Sequence, residues 1–200
     1  MVFDFGGVLV DWRPRRLLER LYADPARRDR MFRAVLGHAD WIELDRGTLR
    51  EAESLAPFAA RSGESIEVIA ALMQAVRDSL QPKRDSIEVL RSLYRAGVPL
   101  YALSNISEEN YQAIRARHEC FSWFLGTVVS ARVGKVKPDR DIYEYLCATH
   151  GLEATQCLFV DDMPANIKSA EALGFRTHLY ASADALASAL AECGLPIVST

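Results

Sequence analysis

Two hundred residues, half of them hydrophobic, suffice to bury a full core, either as one large domain or as a core carrying an insert. A formal net charge of −3 provides no basic field, which argues against nucleic acid as a partner. No apolar run approaches the roughly 20 residues that cross a bilayer, so no membrane partner is expected. No signal peptide is expected ahead of Asp4, and Cys120, Cys147, Cys157 and Cys193 lack paired spacing, so they read as reduced packing residues of a cytoplasmic protein.

The chain opens with an apolar strand, Met1 to Phe5, that breaks at Gly6-Gly7. Only three residues precede Asp4, which is short for a central strand and points to a trimmed or unusual start. From Pro14 to Leu80 the pattern is helical, and nothing there reads as a strand. Asp24-Pro25 is an N-cap followed by proline at the first helical position, opening a helix over Ala26 to Leu36. Thr48 and Glu51 have capping-box spacing and open a helix to about Ala60. Ile66, Ile69, Met73 and Val76 recur every three to four residues, the mark of an amphipathic helix. Arginines at 13, 15, 16, 27, 28, 30 and 33 read as a solvated helix face, with an anion-attracting cleft as the alternative.

After Pro82 the rhythm becomes helix-strand alternation. Helices are predicted over Lys83–Ala96, Glu108–His118, Asp139–His150, Ala165–Leu173 and Ala183–Cys193. Strands are predicted over Val98–Leu103, Gly126–Ser130, Cys157–Val160 and Phe175–Tyr180. This alternation implies right-handed crossovers and a parallel sheet. The expected fold is therefore α/β: a three-layer, parallel-sheet, Rossmann-like core of residues 1–11 and 82–200, with an all-α helical cap inserted at residues 12–81. Ligands of such sheets sit beyond the carboxyl ends of the strands, and Asp4, Ser104 and Asp161-Asp162 all fall there.

Four segments in this order, Asp4-Phe5-Gly6-Gly7, Ser104-Asn105, Lys137-Pro138-Asp139 and Asp161-Asp162, resemble the motifs of the haloacid dehalogenase superfamily of hydrolases. The likeness is to the subfamily with a helical cap after the first motif and spans essentially the whole chain. It is similar to that subfamily's sugar-phosphate phosphatases. The resemblance implies a hydrolase of a small phosphorylated metabolite, such as a sugar phosphate, working with Mg2+ as a monomer or homodimer. It implies that Asp4 is the nucleophile, forming an aspartyl-phosphate. Ser104 and Asn105 would hold phosphoryl oxygens, and Lys137 would offset charge between nucleophile and phosphate. Lys135 competes for that role, but the Lys-Pro-Asp grouping favours Lys137. The metal would be held by Asp4, the Gly6 carbonyl, Asp162 and, directly or through water, Asp161, with Asn166 orienting the site. Adjacent carboxylates at 161 and 162 would otherwise repel each other, although Asp162 is also placed to cap the following helix.

One position departs from the family pattern. Phosphatases of this family carry an acid two residues after the nucleophile, which protonates the leaving group; Gly6 supplies a carbonyl but no proton. Such an acid contributes about 10²–10⁴ in rate, so esters with acidic leaving groups are favoured unless a residue of the cap or a water stands in. Trp12, Arg16, Trp41 and Asp45 lie in segments that face the expected cleft, and Arg16 is the candidate phosphate or sugar contact there. The alternatives are that the tryptophans pack the cap and Arg16 is a surface charge. His38, His118, His150 and His178 show no metal spacing. Two other functions fit Gly6: a 2-haloacid dehalogenase, whose halide leaves without a proton, and a catalytically weak binding or regulatory protein.

Overall fold

A computed structural model describes residues 1–195; the last five residues of the expected core segment lie outside that range. Five strands form one parallel sheet in the order β3-β2-β1-β4-β5: β1 Val2–Phe3, β2 Tyr101–Ser104, β3 Gly126–Val129, β4 Leu158–Asp161 and β5 Arg176–Leu179. Between β1 and β2 lie α1 Pro14–Leu21, α2 Pro25–Met31, α3 Ala39–Arg46, α4 Glu51–Ser62, α5 Ile66–Ser79 and α6 Arg84–Arg95. The remaining helices are α7 Glu108–Arg117, α8 Ser130–Val133, α9 Arg140–His150, α10 Pro164–Ala172 and α11 Ala183–Glu192.

Several strands start later or end sooner than their apolar runs because neighbouring turns claim the backbone groups. Val98 N–H closes α6 by donating to Leu93 O, so β2 begins only at Tyr101. Phe175 N–H closes α10 through Ala170 O in the same way, which delays β5. β1 ends early because Leu9 and Val10 both donate to Phe5 O, folding the chain back on itself.

Strand alternation divides the core into the two faces of the sheet. Phe3, Ala102 and Val160 pack with Leu90 and Leu93 of α6, Ile114 of α7 and Leu186 of α11. Val2, Leu103 and Phe159 pack on the other face with Tyr143 and Leu146 of α9 and Ile167 of α10. Val2 pairs with Tyr101 and Phe159, and Phe3 with Ala102 and Val160, so Asp4 comes level with Leu103 and Asp161 at the carboxyl edge.

Helices α1 to α5 bury a separate hydrophobic cluster that includes Leu18, Met31, Val35, Phe58, Leu72 and Val76. The Asp24 carboxylate caps α2 as its Asp-Pro signature predicts, accepting from the Ala26 and Arg27 amides. The chain then runs through a π-type turn, Phe32–Leu36, rather than one continuous helix. The capping-box expectation at Thr48 and Glu51 is corrected. The Thr48 hydroxyl instead donates back to Glu43, and Glu53 receives the Arg50 amide at 3.3 Å at the start of α4. Helix α3 carries no such signal. It ends at Gly47 (φ 80°), where a Cβ would overlap the Ala131 carbonyl, so α3 lies directly against α8. The Ser130 hydroxyl reinforces this junction by donating to the Asp45 carbonyl.

Gly47→Ala is expected to lower the unfolding free energy by about 1–3 kcal/mol, through strain at positive φ and separation of α3 from α8. Urea denaturation of the two proteins checks this.

Candidate active site

Asp4, Ser104 and Asp161 end three adjacent strands, and a loop before α9 delivers Lys137 between them. The Lys137 side chain is almost wholly buried. Its ammonium donates to Leu103 O at 2.9 Å and Asp161 Oδ2 at 2.7 Å, and pairs with Asp4 Oδ1 at 2.9 Å. The competing Lys135 instead pairs with Asp141 on the surface at 2.8 Å. Asp161 is saturated: Met163 N–H and the Asn166 amide nitrogen donate to it at 2.8–3.0 Å, besides Lys137. Asn166 thus aims Asp161, and Asp161 aims the lysine.

Asp162 lies one residue further, half-buried, and packs against the backbone of Gly7 (φ 72°), where a Cβ would overlap its carboxylate. One oxygen each from Asp4, Asp161 and Asp162 lie within 4.8 Å of one another. Of the three, Asp4 and Asp161 pair with the Lys137 ammonium, whereas Asp162 feels Lys137 and Lys83 without pairing with either. Burial pushes the Asp4 carboxyl up to about 6 against the pull of Lys137, with Asp161 and Asp162 adding to the rise. Asp162 is also raised, first by burial and then by Asp161. Burial alone would lower Lys137, but Asp4 and Asp161 hold it above its ordinary value. At neutral pH the Asp4–Lys137 pair is ionised, while Asp162 has no ion-pair partner among the described residues.

The Gly6 carbonyl stays outside the turn: the bridge between Gly6 and Val10 is made by Gly7 N–H to Val10 O and Val10 N–H to Phe5 O. The Ser104 hydroxyl is buried without a hydrogen-bond partner among the described residues, a costly state for a polar group unless a ligand satisfies it. Asn105 behaves differently from its expectation. Its side-chain oxygen accepts from Lys137 N–H and its nitrogen donates to Lys137 O, both at 2.8 Å, so the amide clamps the lysine's backbone. Pro138 follows a cis peptide bond and precedes α9, which begins at Arg140, so it does not occupy the first helical turn.

Beside this cluster is a cavity of about 50 Å³ lined by Phe5, Gly6, Trp12, Trp41, Asp45 and Ser104, among others. Trp12 and Trp41 stack there with ring centres 5.6 Å apart. Arg16 is not among the lining residues, which corrects its assignment as a contact in this cleft. Helix α1 turns Leu17 and Leu18 inward, leaving Arg16 exposed in a separate depression with Asp11, Arg13 and Arg20.

Replacing Lys137 with Met leaves Asp4 and Asp161 buried without a counter-charge, and a loss of about 3–5 kcal/mol in stability is expected. For a carboxyl raised by burial, as that of Asp4 is, the folded protein binds the extra proton, so this loss is full at about pH 8 and shrinks toward about pH 5. Denaturation curves of metal-free protein at the two pH values check both the size and the sign.

Comparison with known proteins places these features in a family. A family model described as haloacid dehalogenase-like hydrolase matches residues 1–174. Sesquiterpene phosphatase astK of Aspergillus oryzae is 27% identical over 173 residues, covering 86% of this chain and 85% of that protein. The chloroplast flavin mononucleotide hydrolase 1 of Arabidopsis thaliana is 27% identical over 157 residues, covering 78% of this chain and 63% of its own length. A HAD family enzyme of Bacteroides thetaiotaomicron, solved with magnesium and inorganic phosphate, shares the fold at a TM-score of 0.68 and 21% identity, covering 88% of this chain and 91% of that one. With a parallel sheet whose carboxyl edge gathers the motif residues and a family match over most of its length, the chain belongs to the haloacid dehalogenase-like hydrolases.

Proposed function

We propose that this protein is a magnesium-dependent phosphohydrolase of a small phosphorylated metabolite, with Asp4 as the nucleophile. The observation that carries the reading is the charge imbalance: one oxygen from each of three carboxylates lies within 4.8 Å of the others, and the Lys137 ammonium pairs with only Asp4 and Asp161. Asp161 is committed to Lys137 and Asn166. Asp4, Asp162 and the Gly6 carbonyl are the groups that would hold the ion, an oxygen donor set of the kind Mg2+ prefers. When bound, the ion neutralises phosphoryl charge and keeps it against Asp4.

The chain's own residues do the rest. Asp4 Oδ2 attacks phosphorus while Oδ1 stays fixed by Lys137 and by the Phe5 amide, which donates at 2.7 Å. The resulting aspartyl-phosphate divides one displacement into two, the second being attack by water on phosphorus. The unpartnered Ser104 hydroxyl donates to a phosphoryl oxygen, and the Lys137 ammonium offsets the charge that builds between nucleophile and phosphate. The insert of α1 to α5 acts as the cap. Its Trp12–Trp41 stack walls the cavity beside Gly6 and Ser104, so the insert shapes what reaches the nucleophile. The sesquiterpene phosphatase and the flavin mononucleotide hydrolase among the relatives support a phosphorylated small molecule as substrate. Dehalogenation is disfavoured by the same excess of carboxylates, which repels a haloacid anion.

Phosphate release from a panel of sugar and acyl phosphates, lost on chelation and in Asp4→Asn, is the expected result. A folded, magnesium-loaded protein that turns over no member of the panel rejects the reading. Mg2+ should also raise the melting temperature of chelator-treated protein, more at about pH 8 than at about pH 5, because its ligands must be deprotonated.

A further inference from the structure

We propose that Asp45, on helix α3 of the insert, is the general acid that protonates the leaving group in place of the side chain missing at Gly6. The assignment rests on the phosphohydrolase reading above and adds a residue and a role to it.

The geometry starts at Gly6. A Cβ there would meet Trp12 at ordinary contact distances of 3.7–3.9 Å, so the backbone admits a side chain that the sequence withholds. The space such a side chain would fill belongs to the cavity lined by Gly6, Trp12, Trp41, Ser104 and Asp45. Trp41 and Asp45 are one helical turn apart and so share a face of α3. Trp41 stacks on Trp12, which registers that face over Gly6. Gly47 against Ala131, and the Ser130 hydroxyl on the Asp45 carbonyl, anchor the same helix to the core. Asp45 is only 9% exposed, so its place in the cavity is a built feature and not that of a surface carboxylate.

Its chemistry is the counterpart of Asp4. Asp4 has an ammonium 2.9 Å away and stays ionised, as a nucleophile must. Asp45 has no Lys, Arg or His partner among the described residues, so no cation stabilises its anion and only the Ser107 backbone amide favours it. Burial pushes its carboxyl up to about 7, the Ser107 backbone amide draws it back, and the charge on Asp4 pushes it further up. Burial raises both carboxyls, but only Asp4 has an ammonium beside it, so of the two Asp45 is the one fitted to carry a proton. As the bond from Asp4 Oδ2 to phosphorus forms and the ester P–O bond breaks, the leaving alkoxide takes the Asp45 proton. The Asp45 carboxylate then takes a proton from the water that attacks the aspartyl-phosphate, which restores it and balances the cycle.

The test compares glucose 6-phosphate, whose alkoxide needs a proton, with acetyl phosphate, whose acetate does not. Magnesium-loaded wild type, Asp45→Asn and Asp45→Ala are assayed on both. The ratio of the two rates within one protein is independent of the folded fraction, so a merely structural role does not move it. The expected result is a fall in the glucose 6-phosphate to acetyl phosphate ratio of about 10²-fold or more in both variants. An unchanged ratio overturns the assignment, as does a wild type that hydrolyses acetyl phosphate alone. A wild type that turns over no member of the panel, these two included, overturns the phosphohydrolase reading and the assignment with it.

Discussion

One ammonium holds the carboxyl edge of this sheet together. Lys137 Nζ satisfies Leu103 O of β2, Asp161 of β4 and Asp4 beyond β1 at once, so three strands and the loop before α9 meet on a single charge. Taking that charge out of water is costly, and it is tolerated only because every donor has an acceptor. The geometry is built outward in layers: Asn105 clamps the lysine's backbone and Asn166 holds Asp161. Asn166 thus orients the site as its motif position implies, and the Asn105 side chain, expected near phosphoryl oxygens, holds the lysine instead.

The compensation is deliberately incomplete. Asp162 without an ion-pair partner and the Ser104 hydroxyl without a hydrogen-bond partner, both among the described residues, leave the edge short of positive charge and of an acceptor. In the proposed reaction a divalent cation and a phosphoryl oxygen would supply these two things. Stability and the proposed function therefore draw on the same residues.

The helical insert contributes shape where the core contributes charge. Its hydrophobic cluster is separate from the two that flank the sheet, and Trp12 packs against both the insert cluster and one of those core clusters. The small cavity under the Trp12–Trp41 stack lies between the insert and the sheet edge, and α3 brings both Trp41 and Asp45 to it.

Much of this was legible in the chain. Helix-strand alternation after Pro82, the helical character of Pro14 to Leu80 and the polar residues ending apolar runs are local patterns, and local patterns survive without a partner to pack against. The family likeness lay in the same strand-end residues. What only the tertiary structure decided involves groups far apart in sequence. Arg16 faces solvent because α1 spends its inner face on Leu17 and Leu18. The Asn105 amide turns to a lysine 32 residues away. Asp45 reaches the cavity because Ser130, 85 residues along the chain, and the Gly47 turn seat α3 against the core. No periodicity encodes such pairings, because they depend on how one packed unit docks on another.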